Sequence, residues 1–400
     1  MYYEKYLKYK SKYINLTNKK NLIGGTILKN SDAKMVIIDT DPGIDDSMAL
    51  LLALGSSELN VIAVTTVFGN HPDVKKMTDN ARKILDLANC YHIPVYQGCG
   101  MPMVGFLNEK DYVEKNKVGA IQSVIIHGET GIGEGKLLPL LPKSRPTSQI
   151  HAVDKIIELV KSRPNQITLI TLGPLTNLAR ALQKAPEIGS LFHEVIVMGG
   201  ALFAPRGDHP INTPDANLGN AKSSVEANFM KDPEAADIVF SMSSTYPFNP
   251  SIIPDNKLIL IPLDTTTQTD YLTSGLIDFF KSENILSTLI GTFLLENHKF
   301  YASKYTEKFK RKIVPLHDSC AVFYAMSPNS FTKKHDVDIR IDLGTPATKG
   351  RTIIDNRKGF EIPGIDKWTA RATYFETINA PELYDSIVTS IISLIQHTRK

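Results

Sequence analysis

The stretch MVIIDTDPGIDD, residues 35–46, decides the fold class of this chain. Its apolar start predicts a short buried strand, Met35–Asp39, that ends in acidic residues. The Pro42-Gly43 pair predicts a turn, and Ile44–Leu54 is typical of a helix with a largely apolar face. A buried strand that turns directly into a helix is the opening unit of a parallel α/β sheet.

The alternation of strands and helices continues along the chain. Further predicted strands are Val61–Val67, Gln166–Leu172 and Glu194–Met198, and predicted helices are Val74–Leu87, Val153–Lys161, Leu175–Leu182 and Ser274–Tyr305. We therefore predict an α/β fold, a single domain at residues 33–398 with a mainly parallel, Rossmann-like central sheet flanked by helices. Because such sheets bind ligands beyond the carboxyl ends of their strands, we expect the active site at the C-terminal ends of the strands.

The composition of the 400 residues is that of an ordinary globular protein, with 42% hydrophobic and 22% charged residues. The net charge of +3 is unevenly distributed, because residues 1–20 carry +5 and the remainder carries −2. The body therefore offers no electrostatic reason to bind nucleic acid. No apolar run approaches the ~18 residues of a membrane span, so no transmembrane segment is predicted. Three cysteines, Cys90, Cys99 and Cys320, are too few for a disulfide framework and indicate a reducing, cytoplasmic location.

Residues 1–24 form a basic leader rich in tyrosine and lysine. Four tyrosines and Leu16 recur with the spacing of one helical face, and lysines fill the other faces. This pattern predicts either a helix that docks to an unknown partner or a flexible, solvated extension that ends in a hinge at Gly24-Gly25. The leader resembles those on some giant-virus proteins, and that resemblance would imply association with a virion.

Four carboxylates, Asp39, Asp41, Asp45 and Asp46, follow the first buried strand within eight residues. Like charges this close oppose joint ionisation, and a hard cation such as Ca²⁺ or Mg²⁺ would relieve the repulsion. The alternative is that the last two acids only cap a helix N-terminus. An Asp-x-Asp pair also opens the Mg²⁺-dependent haloacid-dehalogenase-like phosphotransferases, although Gly43 stands where those enzymes usually carry Thr or Val.

Several motifs, in chain order, make the sequence similar to the inosine-uridine-preferring nucleoside hydrolases. The matching segments are Asp39–Leu50, Thr65–Asn70, His127–Gly131, Leu172–Asn177, Val197–Gly200, Glu226–Asn228, Asp232–Ala236 and His317–Val322. The resemblance implies hydrolysis of the N-glycosidic bond of ribonucleosides to ribose and free nucleobase. The transition state of that reaction is oxocarbenium-like, as in glycoside hydrolysis generally.

The resemblance also implies one bound Ca²⁺. Its ligands would be the carboxylates of Asp41, Asp46 and Asp318 and the backbone carbonyl of Leu172, with a water and ribose hydroxyls completing the coordination. The metal would lower the pKa of the bound water, and Asp41 would accept its proton. Asp39 would not bind the metal and would instead orient the acidic loop that carries its ligands.

A catalytic histidine and a set of substrate contacts follow from the same resemblance. His317 would protonate the leaving base, which favours pyrimidine or broad base specificity. The residues matched to substrate binding are Asp45, Asn70, His127, Met198, Asn220, Glu226 and Asn228. For the asparagines and His127 the alternative is an ordinary loop role. Tyr301 and Tyr305 match the base pocket, but their helical spacing is equally typical of core packing.

Other features leave alternatives open. Residues 203–219 form a predicted loop, which we interpret as a lid over the ribose 5′ end, and its Asp208 and His209 have no assigned role. The family usually forms homodimers or homotetramers. A protein that binds nucleosides or ribosyl groups without turnover is the second interpretation of the pocket.

Overall fold

The computed structural model describes residues 22–23, 26–27, 29–116, 122–133, 148–202, 220–221, 225–241, 253–309, 313–314, 316–355 and 371–398. The predicted hinge at Gly24-Gly25, the rest of the leader apart from Leu22–Ile23, and the loop at residues 203–219 lie outside these residues. Leu22–Ile23 pairs with Thr26–Ile27 in a small antiparallel sheet.

The central sheet has nine strands within the described residues and is mainly parallel, as predicted. In chain order the strands are β1 Leu22–Ile23, β2 Thr26–Ile27, β3 Lys34–Thr40, β4 Leu59–Thr66, β5 Val95–Gln97, β6 Ile167–Thr171, β7 Glu194–Met198, β8 Leu258–Ile261, β9 Phe331–Ile341, β10 Thr352–Asp355 and β11 Arg371–Ile378. Their order across the central sheet is β10-β9-β11-β8-β7-β6-β3-β4-β5. The pairs from β11 to β5 are parallel, whereas β9 runs antiparallel to both of its neighbours.

Helices connect the strands and cover the sheet. The described α-helices are Ile44–Gly55, Val74–Leu87, Glu109–Lys115, Gln122–His127, Ala152–Ser162, Thr176–Lys184, Ile188–Leu191, Ala227–Lys231, Pro233–Ser241, Leu263–Thr266, Thr273–Lys281, Glu283–Leu286, Leu289–Phe309, His317–Met326 and Ala380–Thr398. None of these helices combines the length and the apolar character needed to cross a membrane.

The predicted long helix Ser274–Tyr305 is wrong, because the structure divides it into three helices. Thr273–Lys281 ends where the Ser282 backbone N–H and hydroxyl both donate to the Phe279 carbonyl, at 3.1 and 2.6 Å. The last of the three helices, Leu289–Phe309, begins where the Thr288 hydroxyl accepts a hydrogen bond from the Gly291 N–H at 3.0 Å. These side-chain hydroxyls satisfy backbone groups locally and so end and restart the helix.

The alternation of side chains along β3 shows why this strand is apolar throughout. Val36 and Ile38 pack in the core that contains the helices Ile44–Gly55 and Ala380–Thr398. Ile37 faces the opposite core, which contains Ala152–Ser162 and Thr176–Lys184. A strand buried on both faces leaves only its ends for polar chemistry.

The end of β3 lies where the order of the strands reverses. From β3 the chain continues to β4 on one side, and it returns to β6 on the other side. Open parallel sheets form their ligand crevice at this switch point, beyond the carboxyl ends of the strands. The residues that follow β3 and β6 are the acidic loop and Leu172, which the sequence analysis assigns to the site.

Candidate active site

The acidic loop is fixed at the entrance of the helix Ile44–Gly55 by Asp46. The Asp46 carboxylate accepts hydrogen bonds from the Gly43 N–H at 2.9 Å and from the Thr40 hydroxyl at 2.5 Å. The Ser47 hydroxyl donates to the Gly43 carbonyl at 2.5 Å. Asp46 therefore stabilises the start of the helix from its third position by accepting from the N-cap residue Gly43, and the capping alternative describes one part of its role.

Asp46 is also one member of a buried carboxylate cluster. Carboxylate oxygens of Asp45, Asp46 and Asp318 lie within 4.8 Å of one another. Burial raises the pKa of Asp318 well above its ordinary value, and the charges of Asp45 and Asp46 raise it further. Three converging carboxylates need a positive charge to remain ionised together, so this donor set of oxygens fits a hard divalent cation.

Asp45 offers this cluster an uncommitted oxygen. Its Oδ2 accepts a hydrogen bond from the Tyr301 hydroxyl at 3.2 Å. Its buried Oδ1 accepts none within the described residues and lies 3.9 Å from His127 Nδ1. Burial, followed by the charge of Asp46, raises the pKa of Asp45 to about 7. A buried oxygen without a donor is positioned to accept a ligand hydroxyl or to contact a cation.

Asp41 is buried and tightly enclosed. Its Oδ2 accepts hydrogen bonds from the Asn70 N–H at 2.7 Å and from Lys231 Nζ at 3.1 Å. Burial raises the pKa of Asp41 well above its ordinary value, and Lys231 opposes that shift. Gly69 and Gly173 flank the carboxylate so closely that a Cβ on Gly69 would lie 1.9 Å from Oδ2. Both positions require glycine because the carboxylate occupies the space of a side chain.

Asp39 is fully buried within β3 and does not line the cavity. Its Oδ1 accepts hydrogen bonds from the Thr65 hydroxyl at 2.6 Å and from Asn177 Nδ2 at 2.7 Å. These contacts connect β3 to β4 and to the helix Thr176–Lys184. Burial raises the pKa of Asp39 to about 7, and the two hydrogen bonds oppose the shift.

The short helix Ala227–Lys231 carries the predicted sugar-side residues. Glu226 caps its N-terminus by accepting from the Asn228 and Phe229 N–H groups, and it also accepts from the Gly200 N–H at 3.1 Å. Asn228 Nδ2 donates to the Leu172 carbonyl at 2.7 Å. The helix is therefore fastened to the ends of β6 and β7, and both polar side chains have structural partners as well.

Asn70 and Asn220 also have partners within the protein. Asn70 Nδ2 donates to the Asp41 carbonyl and to Asp46 Oδ2, each at 2.9 Å. Asn220 Oδ1 accepts from the Ala227 N–H at 2.9 Å. Each asparagine therefore has the loop role that the sequence left open, and each also lines the cavity.

Two histidines line the same site. His127 Nδ1 accepts from the Ile44 N–H at 3.2 Å, and burial lowers the pKa of His127 to about 3. His317 begins the helix His317–Met326, and its Nδ1 lies 2.7 Å from the Thr266 hydroxyl. The hydroxyl holds the imidazole ring by one edge, which orients Nε2 on the opposite edge.

These groups surround one cavity of about 710 Å³, counting the space at its mouth. Its lining includes all seven predicted substrate-binding residues together with Leu172, His317 and Asp318. Asp39, Asp41 and Asp46 are buried next to this lining. The full lining is Asp45, Asn70, Ile126, His127, Leu172, Met198, Asn220, Ala221, Glu226, Ala227, Asn228, Met230, Lys231, Tyr301, Tyr305, Lys308, His317 and Asp318.

Comparison with known proteins identifies the family to which this site belongs. A sequence model described as inosine-uridine preferring nucleoside hydrolase matches residues 36–385. The chain belongs to this family. It is 34% identical over 325 residues to the inosine-uridine preferring nucleoside hydrolase of Leishmania major, covering 81% of this chain and 88% of that protein. It is 30% identical to uridine nucleosidase 1 of Arabidopsis thaliana, covering 83% of each.

Solved structures of nucleoside hydrolases share the fold. A plant nucleoside hydrolase has a TM-score of 0.71 at 28% identity, covering 90% of this chain and 98% of that one. A purine-preferring ribonucleoside hydrolase from Gardnerella vaginalis has a TM-score of 0.71 at 29% identity, covering 91% and 99%. The predicted fold class is confirmed. As a nucleoside hydrolase, the chain is an N-glycosidase of a metal-dependent family, which replaces the phosphotransferase interpretation.

Sequence reasoning missed two lysines that line the cavity, Lys231 and Lys308. Tyr301 and Tyr305 line the cavity as well, and both belong to a buried apolar cluster with Ile44. The two tyrosines therefore line the pocket and pack in the core at the same time. Nothing in the spacing of Lys231 distinguishes it from a solvated lysine at a helix end. Its position on the helix that carries Asn228 is the signal that could have found it.

Proposed function

We propose that the chain hydrolyses ribonucleosides to ribose and free nucleobase with Ca²⁺ as its metal. The observation that carries this proposal is the cluster of Asp45, Asp46 and Asp318 oxygens within 4.8 Å, of which Asp45 and Asp318 line one cavity together with His317. A carboxylate cluster and an imidazole side by side can serve the ribose and the leaving base of the same substrate.

Ca²⁺ would be held by the carboxylates of Asp41, Asp46 and Asp318 and by the Leu172 carbonyl. This set consists of oxygen donors only, which suits the flexible coordination of 6–8 oxygens that Ca²⁺ takes. When bound, the ion supplies a Lewis acid that makes a water molecule a better nucleophile. Asp41 would accept the proton of that water, and Asp39 would keep β3 in place through Thr65.

The remaining residues act on the sugar and the base. Asp45, Asn70, Asn220, Glu226 and Asn228 would contact the ribose, with Met198 packed against it. Their carboxylates favour the positive charge that develops on the ribose as the bond breaks. His317 would donate a proton to the departing base through Nε2, and His127 would contact the base. Support comes from the Thr266 contact that orients the His317 ring.

The base preference that we propose is pyrimidine or broad. Relatives with both preferences are known: uridine nucleosidase 1 of Arabidopsis thaliana and the purine-preferring enzyme of Gardnerella vaginalis. The pure protein should therefore be tested on inosine, uridine and cytidine. Turnover of inosine alone would contradict the preference without affecting the hydrolase assignment.

Substitution of the acids tests the mechanism. Asp41→Ala and Asp318→Ala should abolish ribose release, and a strong chelator should reduce it in the wild-type protein. Asp278→Ala is the matched control, because that side chain is 73% exposed on the helix Thr273–Lys281. Full activity of Asp41→Ala would contradict the role of Asp41 as base. Binding of a nucleoside without any ribose release by the wild type would favour the silent binding protein.

The setting of the enzyme also remains a proposal. The free thiols Cys90 and Cys320 are buried, which suits a reducing, cytoplasmic location. The chain would form a homodimer or homotetramer, as its family usually does. The leader at residues 1–24 would be a separate segment that either docks to a partner or stays solvated, with virion association resting on its resemblance alone.

A further inference from the structure

Lys231 lines the cavity, and the proposed mechanism gives it no role. It ends the helix Ala227–Lys231, and its side chain is only 8% exposed. Its ammonium group lies 3.1 Å from Asp41 Oδ2 and 3.1 Å from Asn70 Oδ1. Burial of a lysine next to a carboxylate costs desolvation, so a solvent-facing position would be the ordinary place for this side chain.

The contacts of Lys231 fix the orientation of the Asp41 carboxylate. Two donors, the Asn70 N–H and the Lys231 ammonium, both bind Oδ2. The other oxygen, Oδ1, lies against Gly173, the residue that follows Leu172. Two donors therefore hold Oδ2, and Oδ1 lies beside the residue that follows the proposed carbonyl ligand. Without the ammonium group, one of the two constraints on rotation of the carboxylate would be lost.

The charge of Lys231 acts on the same carboxylates as the proposed cation. Asp41, Asp45, Asp46 and Asp318 all lie close together, and Lys231 is the lysine that contacts one of them in the described structure. A resident positive charge partly neutralises the cluster. It also repels a second positive charge, because the repulsion between like charges acts over the same distances as the attraction between opposite charges.

We propose that Lys231 is a positioning residue that orients Asp41 as the base. Its positive charge at the same time weakens the binding of the divalent cation. The inference rests on the proposed function. It predicts two effects of opposite sign when the charge is removed. The turnover number should fall, because Asp41 is no longer held, while the cation should bind more tightly.

The test is Lys231→Met, which keeps an unbranched side chain as far as Cε but removes the charge and the donors of the ammonium group. We expect kcat for uridine to fall about 10- to 100-fold, the usual cost of losing a group that orients a metal-site ligand. KM should change less than kcat, because Asn70, the proposed ribose contact that Lys231 also binds, keeps its hydrogen bonds to the Asp41 carbonyl and to Asp46. The Kd for Ca²⁺, measured by calorimetry without substrate, should fall about three- to tenfold as the repulsion is removed.

Two further variants separate charge from shape. Lys231→Arg keeps the charge and should keep the Ca²⁺ affinity near that of the wild type. Lys231→Gln keeps a donor without the charge, and it replaces the Met variant if that protein does not fold. The control is Lys34→Met, a half-buried lysine whose ammonium donates to the Ala325 carbonyl at 2.8 Å, outside the cavity.

The outcomes distinguish this inference from the proposed function. If the wild type hydrolyses uridine and both uncharged variants keep kcat and Kd within twofold, the inference is overturned and Lys231 is only a structural partner of Asp41. If kcat falls while the Kd for Ca²⁺ rises or is unchanged, the charge effect is overturned. If the wild type binds Ca²⁺ but releases no ribose, the proposed function fails, and the shift in Kd alone still decides the role of the charge.

Discussion

Thr266 controls the orientation of the proposed acid, and its replacement gives a sharp test of that chemistry. The Thr266 hydroxyl lies 2.7 Å from His317 Nδ1, and both side chains are buried. Thr266→Val has nearly the same shape and leaves no cavity. The substitution therefore removes one hydrogen bond and leaves the packing around it unchanged.

The size of the effect follows from the burial of that contact. A buried polar atom that loses its partner costs about 1–3 kcal/mol. Because His317 acts on the base only as the bond breaks, this loss should appear in the transition state more than in substrate binding. We expect kcat for uridine to fall about 5- to 150-fold, since each 1.4 kcal/mol corresponds to about tenfold. KM should change little.

The assay compares two leaving groups. Uracil needs a proton to leave readily, whereas 4-nitrophenolate is a stable anion, so a 4-nitrophenyl riboside reports on the ribose side alone. Thr266→Val should slow uridine hydrolysis strongly and should change the turnover of the riboside less than about twofold, because general acid catalysis contributes only to the first substrate.

The control is Thr267→Val. Its hydroxyl donates at 2.8 Å to the Leu263 carbonyl of the preceding turn and does not contact His317. This variant should hydrolyse both substrates at the wild-type rate. Equal slowing of both substrates by Thr266→Val would refute the assignment of His317 as acid, and so would an unchanged rate for uridine.

Three further predictions concern other parts of the chain. Gly69→Ala should reduce kcat at least about 100-fold with little change in circular dichroism, because the new Cβ would lie 1.9 Å from Asp41 Oδ2 and displace the base; a rate near that of the wild type would contradict the enclosure of Asp41. Burial lowers the pKa of His298 to about 4, so stability is complete above about pH 6.5 and falls as the unfolded state binds a proton at lower pH. Between pH 8 and pH 5, the free energy of unfolding measured in urea should fall by about 2 kcal/mol less in His298→Leu than in the wild type. An identical pH dependence in both proteins would refute this. Deletion of residues 1–24 should leave kcat for uridine unchanged, whereas lost activity would show that the leader takes part in catalysis.

The elements that the sequence predicted best are those whose apolar pattern results from burial alone. The strand Glu194–Met198 and the helix Val74–Leu87 have the predicted bounds, because their apolar spacing reflects burial alone. The predicted helix Ser274–Tyr305 failed because Ser282 and Thr288 act through hydrogen bonds to nearby backbone groups. Such local bonds leave the apolar pattern unchanged, and periodicity does not detect them.

The candidate site was predictable for a different reason. Residues such as Asp39 and Leu172 stand at the ends of strands, and a parallel sheet brings those ends to one edge. Lys231 is the last residue of a short helix, and its contact with Asp41 depends on the packing of that helix against the ends of β6 and β7. In the sequence, only the nearness of Lys231 to Asn228 points to that packing, and the spacing of Lys231 alone is also that of an exposed lysine.

The three clustered carboxylates have a consequence for the stability of the folded protein. Asp45 and Asp46 lie in the first turn of the helix Ile44–Gly55, and Asp318 lies in the helix His317–Met326, far apart from them in sequence. A cation held between them would act as a removable cross-link between these two distant helices. Because this arrangement exists only when the chain is folded, the ion would bind the native state alone. The melting temperature should then rise with the concentration of free Ca²⁺, so that the cellular supply of the ion would set the lifetime of the enzyme as well as its rate.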